Sequence, residues 1–218
     1  MELDVMKKLI KKHMTGHSNY ELKCKTAERY YKNETDILFS EKKKDDEGNP
    51  VRNADNRIPR NFHGLIVNQK AAYAFTAPPL FDIGNTSSNK RITECLGDEY
   101  EKNCMELCIN AANSIVAWVH YWESENGFEW AVVDSVQIIP IWDRSLKRKL
   151  IGVLRGYSEI DEDNGDNYTI YEYWNAEMCQ AFRKKMGETL DAELEYCNMF
   201  EDPESGELIS EYYHDFEE

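Results

Sequence analysis

The sequence predicts an α+β fold, with N-terminal helices followed by an antiparallel β-sheet packed on a long amphipathic helix. Three observations carry this expectation. Apolar residues recur at helical spacing through the first half, most regularly from Ile92 to Ala112. From Ser114 onward the texture changes to β-branched and aromatic runs cut by turn signals. Helical and strand patterns do not alternate, which argues against a parallel sheet built from βαβ units.

Leu3, Met6, Leu9, Ile10 and then His13 or Met14 share one helical face, as do Leu22, Ala27, Tyr30 and Tyr31 after Gly16, so two short helices are expected with a break at that glycine. The charged, turn-rich stretch from Glu41 to Asn56 reads as a surface loop or hairpin tip. Ile58 to Phe75 is helical in pattern, with Pro59 suited to a first turn and Pro78-Pro79 as the stop. In the segment from Ile92 to Ala112, Cys95, Leu96, Tyr100, Cys104, Leu107 and Cys108 line one stripe opposite Glu99, Lys102, Asn103 and Glu106, which predicts one continuous helix.

Strands are expected over Ile115 to Trp122, Phe128 to Val133, Val136 to Trp142, Leu150 to Ile160 and Tyr168 to Trp174, then Ala192 to Phe200 and Leu208 to Tyr213. Asn126-Gly127 marks a hairpin, and the turn segments 161–166 and 203–206 mark two more. The domain organisation that follows is an N-terminal helical arm over 1–40, a charged loop or hairpin over 41–57, and an α+β domain over 58–218 with helices in 58–112 and antiparallel strands in 114–213.

With 218 residues the chain can bury roughly 70% of its unfolded surface in one substantial core. It is 41% hydrophobic and 12% aromatic, too apolar for a disordered chain, while 31% charged residues and a mean hydropathy of -0.70 describe a very polar surface. No apolar run of membrane-spanning length occurs, and residues 1–14 alternate Lys with Leu, Ile and Met without a signal-like apolar core. Six cysteines in a chain of this size without such a signal read as reduced thiols, with no disulfide expected.

The net charge of -15 is unevenly spread: residues 1–109 hold 18 basic and 17 acidic side chains, residues 110–218 hold 8 and 24. A surface that grips DNA through counterion release needs clustered cations, and only Lys7, Lys8, Lys11, Lys12 and Lys42 to Lys44 approach that.

Candidate chemistry is sparse. Cys104 and Cys108 sit one helical turn apart, with Cys95 on the same stripe, but no histidine falls near enough to complete a zinc site, so buried packing is the better account. Asp161, Asp163 and Glu172 match positions 1, 3 and 12 of a calcium-binding loop, yet Asp166 stands where that loop needs glycine and the flanks read as strands. None of His13, His17, His63, His120 and His214 neighbours a Ser or Cys in a nucleophile motif, and no glycine-rich phosphate loop is present. The five tryptophans could stack a sugar or base, but at strand spacing they fit a core or interface. No catalytic residue, cofactor or metal site is expected.

Read as ordered segments, the chain resembles the portal proteins of tailed bacteriophages, the type found in long-tailed phages of Gram-positive hosts. The resembling segments are Ala27 to Leu38, with Tyr30, Tyr31 and Asp36; Asn56 to Phe62, with Arg57 and Phe62, leading to Tyr73 and Pro78; and Trp118 to Tyr157, with Pro140, Trp142, Asp143 and Tyr157. The match covers residues 20–175. Ala74 to Ala77 stand where the family has a glycine before the proline, and Asn113-Ser114 where it has one between the long helix and the first strand.

The resemblance implies a non-enzymatic structural component of the head-to-tail connector, a ring commonly of twelve subunits through which DNA is packaged and ejected without specific binding. It implies the wing-forming N-terminal part, without stem and clip, and either an expressed fragment or a truncated prophage copy. Other portal subunits, terminase, scaffold or capsid proteins and head-completion proteins are the implied partners, with no membrane. The implied location is the portal vertex of the virion, and the host cytoplasm during assembly or as a prophage product. This stretch alone is expected to be a monomer or small oligomer. Two other readings of the residues are a metal-dependent hydrolase using Asp161, Asp163 and Glu172, and an acidic protein-binding module.

Overall fold

A computed structural model describes residues 2–41, 44–49, 57–77, 80–124, 127–162, 164–202 and 204–214. The class is α+β, helices first and antiparallel strands after, as the sequence predicts.

Helix α1 (Leu3–Tyr31) runs through Gly16 as one helix of 29 residues, where two short helices were expected. An interior glycine costs only about 1 kcal/mol in a helix. Burial of Met6 and Ile10, both almost fully enclosed, outweighs that. Helix α2 (Phe62–Ala74) starts later than the pattern from Ile58 suggests. Its start is set by Asn61, whose Oδ1 accepts from the Gly64 N–H at 2.8 Å as an N-cap.

The single helix expected over Ile92 to Ala112 is two, α3 (Thr86–Leu96) and α4 (Tyr100–Ser114). Gly97 closes α3 with a φ of +75°, a left-handed value that ends a helix even though the apolar stripe continues past it. Helix α4 ends at Ile115, whose φ of 71° puts a β-branched residue where glycine is favoured.

Strands β1 (Trp118–Ser124) and β2 (Gly127–Val133) form a hairpin in which Ser124 pairs with Gly127. After a 3-10 turn at Ser135–Gln137 come β3 (Ile138–Trp142), β4 (Leu150–Ile160), β5 (Asn167–Trp174) and β6 (Met178–Lys185). A short helix α5 (Leu190–Glu193) leads to β7 (Glu195–Tyr196), β8 (Phe200–Glu201), β9 (Leu208–Ile209) and β10 (Glu211–Tyr213). Strand β6 has no counterpart in the sequence expectation. The main sheet runs β10-β6-β5-β4-β3 with β7 also on β6, and all its pairs are antiparallel; β8 and β9 form a separate ribbon.

The chain divides into two compact units, Met1–Tyr20 with Val136–Glu218, and Glu21–Ser135. The first unit holds the main sheet. One sheet face presents Ile139, Ile141, Leu154, Tyr171, Tyr173 and Phe182, and Met6, Ile10 and Leu194 close over it. Gly152 makes room for this packing, since a Cβ there would lie 2.9 Å from the Trp174 carbonyl and 3.0 Å from the Tyr173 hydroxyl. His17 Nε2 meets the Val136 carbonyl at 2.6 Å, fixing α1 to the 3-10 turn that leads into β3. Within this unit the helical cover of the main sheet comes from the first part of α1.

In the second unit α2 packs on α4 through Val67, Ala71 and Cys104, and His63 Nε2 meets Asn113 Oδ1 at 2.8 Å. Helices α3 and α4 cover the β1–β2 hairpin, where Trp130 Nε1 donates to the Leu96 carbonyl at 2.9 Å. Among the described residues no helix is long and apolar enough to cross a membrane.

Candidate structural and interaction sites

The positions singled out by resemblance fall into two groups, one in each unit. In the second unit the end of α1 is tied down by its own tyrosines. Asp36 accepts from the Tyr30 hydroxyl at 2.6 Å and from Arg29 Nη2 at 2.5 Å. These donors hold the Asp36 carboxyl below its ordinary range, the tyrosine bond first and the arginine second. The Tyr31 hydroxyl donates to Asn68 Oδ1 at 2.8 Å on α2, and Asn61 Nδ2 donates to the Tyr31 carbonyl at 3.0 Å. Arg57 Nη1 donates to the Ser40 carbonyl at 2.5 Å, just beyond the 3-10 turn Asp36–Leu38. Tyr31 thus ties α1 to α2, Tyr30 and Asp36 close the end of α1, and Arg57 holds the segment just after the 3-10 turn.

Phe62 and Tyr73 belong to the outer face of α2, where Tyr73 is 91% exposed; with Leu65 and Ile66 they form an apolar surface open to solvent. Pro78 lies outside the described residues.

In the first unit Pro140 pairs with Val153 and Trp142 with Leu150, at a register shift that falls between Ile141 and Trp142. Proline is tolerated there because β3 is an edge strand. Asp143 opens the β3–β4 turn and accepts from the Ser145 hydroxyl at 2.9 Å, the Lys149 N–H at 2.9 Å and the Ser145 N–H at 3.2 Å, which together lower its pKa.

Tyr157 leads to a feature that the sequence pattern did not reveal. On the sheet face opposite the Phe182 core, Glu172 is buried to 3% exposure. Arg155 stands directly across from it in the register, with Nη1 at 3.3 and 3.4 Å from the two carboxylate oxygens. Trp174 Nε1 donates to Oε2 at 3.0 Å, and Arg155 Nε donates to Gln137 Oε1 at 3.2 Å. The guanidinium lies over the Tyr157 ring at 4.4 Å, and the tyrosine hydroxyl also bonds to Glu172. Burial first, and then the Glu172 charge, push the Tyr157 phenol well above its ordinary value. The same two causes raise the Cys179 thiol, which is fully enclosed on β6.

A carboxylate surrounded by these donors staples neighbouring strands together. The six thiols are free.

Of the calcium-loop match, the two described residues, Asp161 and Glu172, are not brought together. Asp163 lies outside the described residues, and Asp161 lies 3.7 Å from Arg183 Nη1 at the hairpin end. Glu172 sits five residues along β5 from Asn167, roughly 17 Å away at about 3.4 Å per residue. Among the described residues no three of His, Cys, Asp and Glu come together in a way that could hold a metal ion. The N-terminal lysines are partly engaged: Lys7 Nζ donates to the Asp191 carbonyl at 2.9 Å, and Lys11 pairs with the Asp191 carboxylate at 2.6 Å.

The family model described as phage portal protein, SPP1 Gp6-like, matches residues 10–218. The portal protein of Clostridium phage phiCD119 is 37% identical over 175 residues, which is 72% of this chain and 38% of that protein. The portal protein of Bacillus phage SPP1 is 27% identical over 138 residues, 60% of this chain and 27% of that protein. The chain thus spans well under half the length of these relatives. With the family match extending over nearly all of its residues, the chain belongs to the SPP1 Gp6-like family of phage portal proteins.

Proposed function

We propose that this chain forms the wing of a portal subunit, a non-enzymatic part of the ring that connects head to tail at one capsid vertex and through which DNA is packaged and ejected. Its partners in this reading are further copies of itself, the terminase, scaffold or capsid proteins and head-completion proteins. The family match over residues 10–218 carries the proposal.

The geometry fits a passive role. The one carboxylate buried in the main sheet of the described residues is committed to Arg155 and Trp174, and Asp161 faces Arg183. Residues 110–218 carry a charge of -16, which repels phosphate, and Lys7 and Lys11 are held by Asp191. A conduit must not trap its cargo by counterion release.

Inactivating the gene in the phage or prophage that carries it tests the proposal. The expected product is capsids without DNA and unattached tails. Normal yields of DNA-filled, tailed particles would overturn it.

A further inference from the structure

Two hairpin ends of the first unit carry opposite charge. Residues 142–151, at the β3–β4 tip, hold Arg144, Lys147, Arg148 and Lys149 against Asp143 alone. Residues 199–209, which form the β8–β9 ribbon, hold Glu201, Asp202, Glu204 and Glu207 and no basic side chain. Each end has a defined shape. The Asp143 side chain and a φ of 48° at Arg148 make the first turn. Asp202, accepting from the Ser205 hydroxyl at 2.6 Å, and Gly206 at a φ of 69° make the second.

Elsewhere in this unit acidic side chains are matched: Asp161 and Glu195 face Arg183, Asp166 faces Lys185, and Asp191 faces Lys11. By contrast, among the described residues Arg144, Lys147 and Arg148 at one end and Glu201, Glu204 and Glu207 at the other form no ion pair, and all six are exposed. Both ends also present apolar side chains to solvent. Leu146 is fully exposed amid the cations, and Leu208 and Ile209 are exposed beside the carboxylates. A phosphate backbone would be held by the cations alone. A leucine at the apex gains only against an apolar surface, and the ribbon offers one bordered by the matching charge.

The two ends belong to opposite edges of one sheet. Strand β3 is the edge on one side, while β7 and β10, which precede and follow the ribbon, both pair with β6 at the other. Strands β4 and β5 stand between, and the exposure of Leu146 and Leu208 shows that tip and ribbon do not meet within one chain.

We infer that the β3–β4 tip of one copy docks on the β8–β9 ribbon of a second copy, Leu146 against Leu208 and Ile209, with Arg144, Lys147 and Arg148 against Glu201, Glu204 and Glu207. The two surfaces differ and lie at opposite sheet edges, so the contact is heterologous, and its repetition builds a chain of subunits that can close into a ring. The inference rests on the ring-subunit reading and adds the contact surface to it.

A zero-length carbodiimide, which joins a lysine amine to a carboxylate in direct contact, tests this on the unaltered chain. Unlabelled and isotope-labelled protein are mixed at high concentration and coupled, and the cross-linked peptides are identified by mass spectrometry. The expected product joins Lys147 of one isotope to Glu201, Glu204 or Glu207 of the other. Its yield should fall roughly tenfold in 1 M salt or in an Arg144→Glu, Arg148→Glu variant, which keeps Lys147 as the coupling group. Leu146→Ser should lower it with the charges intact. Circular dichroism confirms that these exposed-tip variants remain folded.

Absence of the mixed-isotope link overturns the inference, as does coupling of Lys147 to carboxylates outside the ribbon at equal yield, or a link indifferent to salt and charge reversal. Binding of duplex DNA that the charge-reversed variant loses, without the link, would overturn it and assign the tip to a polyanion. Rings of the full-length gene product that form without the link would sink this contact and leave the ring reading standing; loss of both rings and link would sink both.

Discussion

Arg155 and Glu172 face each other across the β4–β5 pair, guanidinium Nη1 lying 3.3 Å from Oε1, in a sheet face where the glutamate is almost wholly enclosed. The value of such a pair lies in its completeness. Removing one partner leaves a buried charge without compensation and costs about 3 kcal/mol, whereas replacing both with apolar groups of similar size is often neutral. Arg155→Met should therefore destabilise the first unit by about 2–4 kcal/mol, and Arg155→Met combined with Glu172→Met should recover at least half of that in urea unfolding. A single variant as stable as wild type would remove the staple role.

The raised phenol of Tyr157 and thiol of Cys179 set an alkaline limit. Both groups have a folded pKa above the unfolded value, so their contribution is complete below about pH 9 and is lost as the pH rises from there toward the folded values. Each group then adds a slope of up to about 1.4 kcal/mol per pH unit. Urea melts at a series of pH values should show stability falling above pH 9 to 10, less steeply in Tyr157→Phe. An equal slope in that variant would contradict the assignment.

Gly152 and Gly156 differ in the space around them. A Cβ on Gly152 meets backbone at 2.9 Å, while one on Gly156 finds only ordinary contact with the Tyr171 ring at 3.7 Å. Gly152→Ala should cost about 1–3 kcal/mol by overpacking, and Gly156→Ala under about 1 kcal/mol. Equal costs in thermal melts would show that the close approach is not what selects glycine.

Ile115 holds a left-handed backbone at 85% exposure, so its side chain contributes little burial while its Cβ opposes the conformation. Ile115→Gly should stabilise the second unit by about 1 kcal/mol. A melt lowered by that variant would mean that the side chain makes a contact worth more than the strain.

Much of this architecture was legible because it is local. Strand β4 falls on the expected boundaries, Leu150 to Ile160, since its β-branched and aromatic run is bracketed by turns. Other features depended on distant partners. Gly16 reads as a break, but Met6 and Ile10 bury against strands more than 120 residues away and hold α1 together. Gly97 sits inside an unbroken apolar stripe, and periodicity alone does not register a positive φ.

Strand β6 is hard to read from sequence because Gln180 interrupts its apolar run and Arg183-Lys184-Lys185 closes it; buried Gln180 donates its Nε2–H to Glu211 on β10 at 2.5 Å. The Glu172 staple was invisible for the same reason, since only the strand register brings Arg155 to it. Tyr30, Tyr31, Asp36 and Arg57 stand out in the sequence by resemblance alone, because their hydrogen bonds join residues up to 37 positions apart that only the fold brings together.

Electron microscopy of the gene product at its full natural length tests the central claim most directly. The account predicts closed rings with a central channel wide enough for duplex DNA. A monodisperse single-subunit particle at high concentration, with no ring under any salt condition, would contradict it.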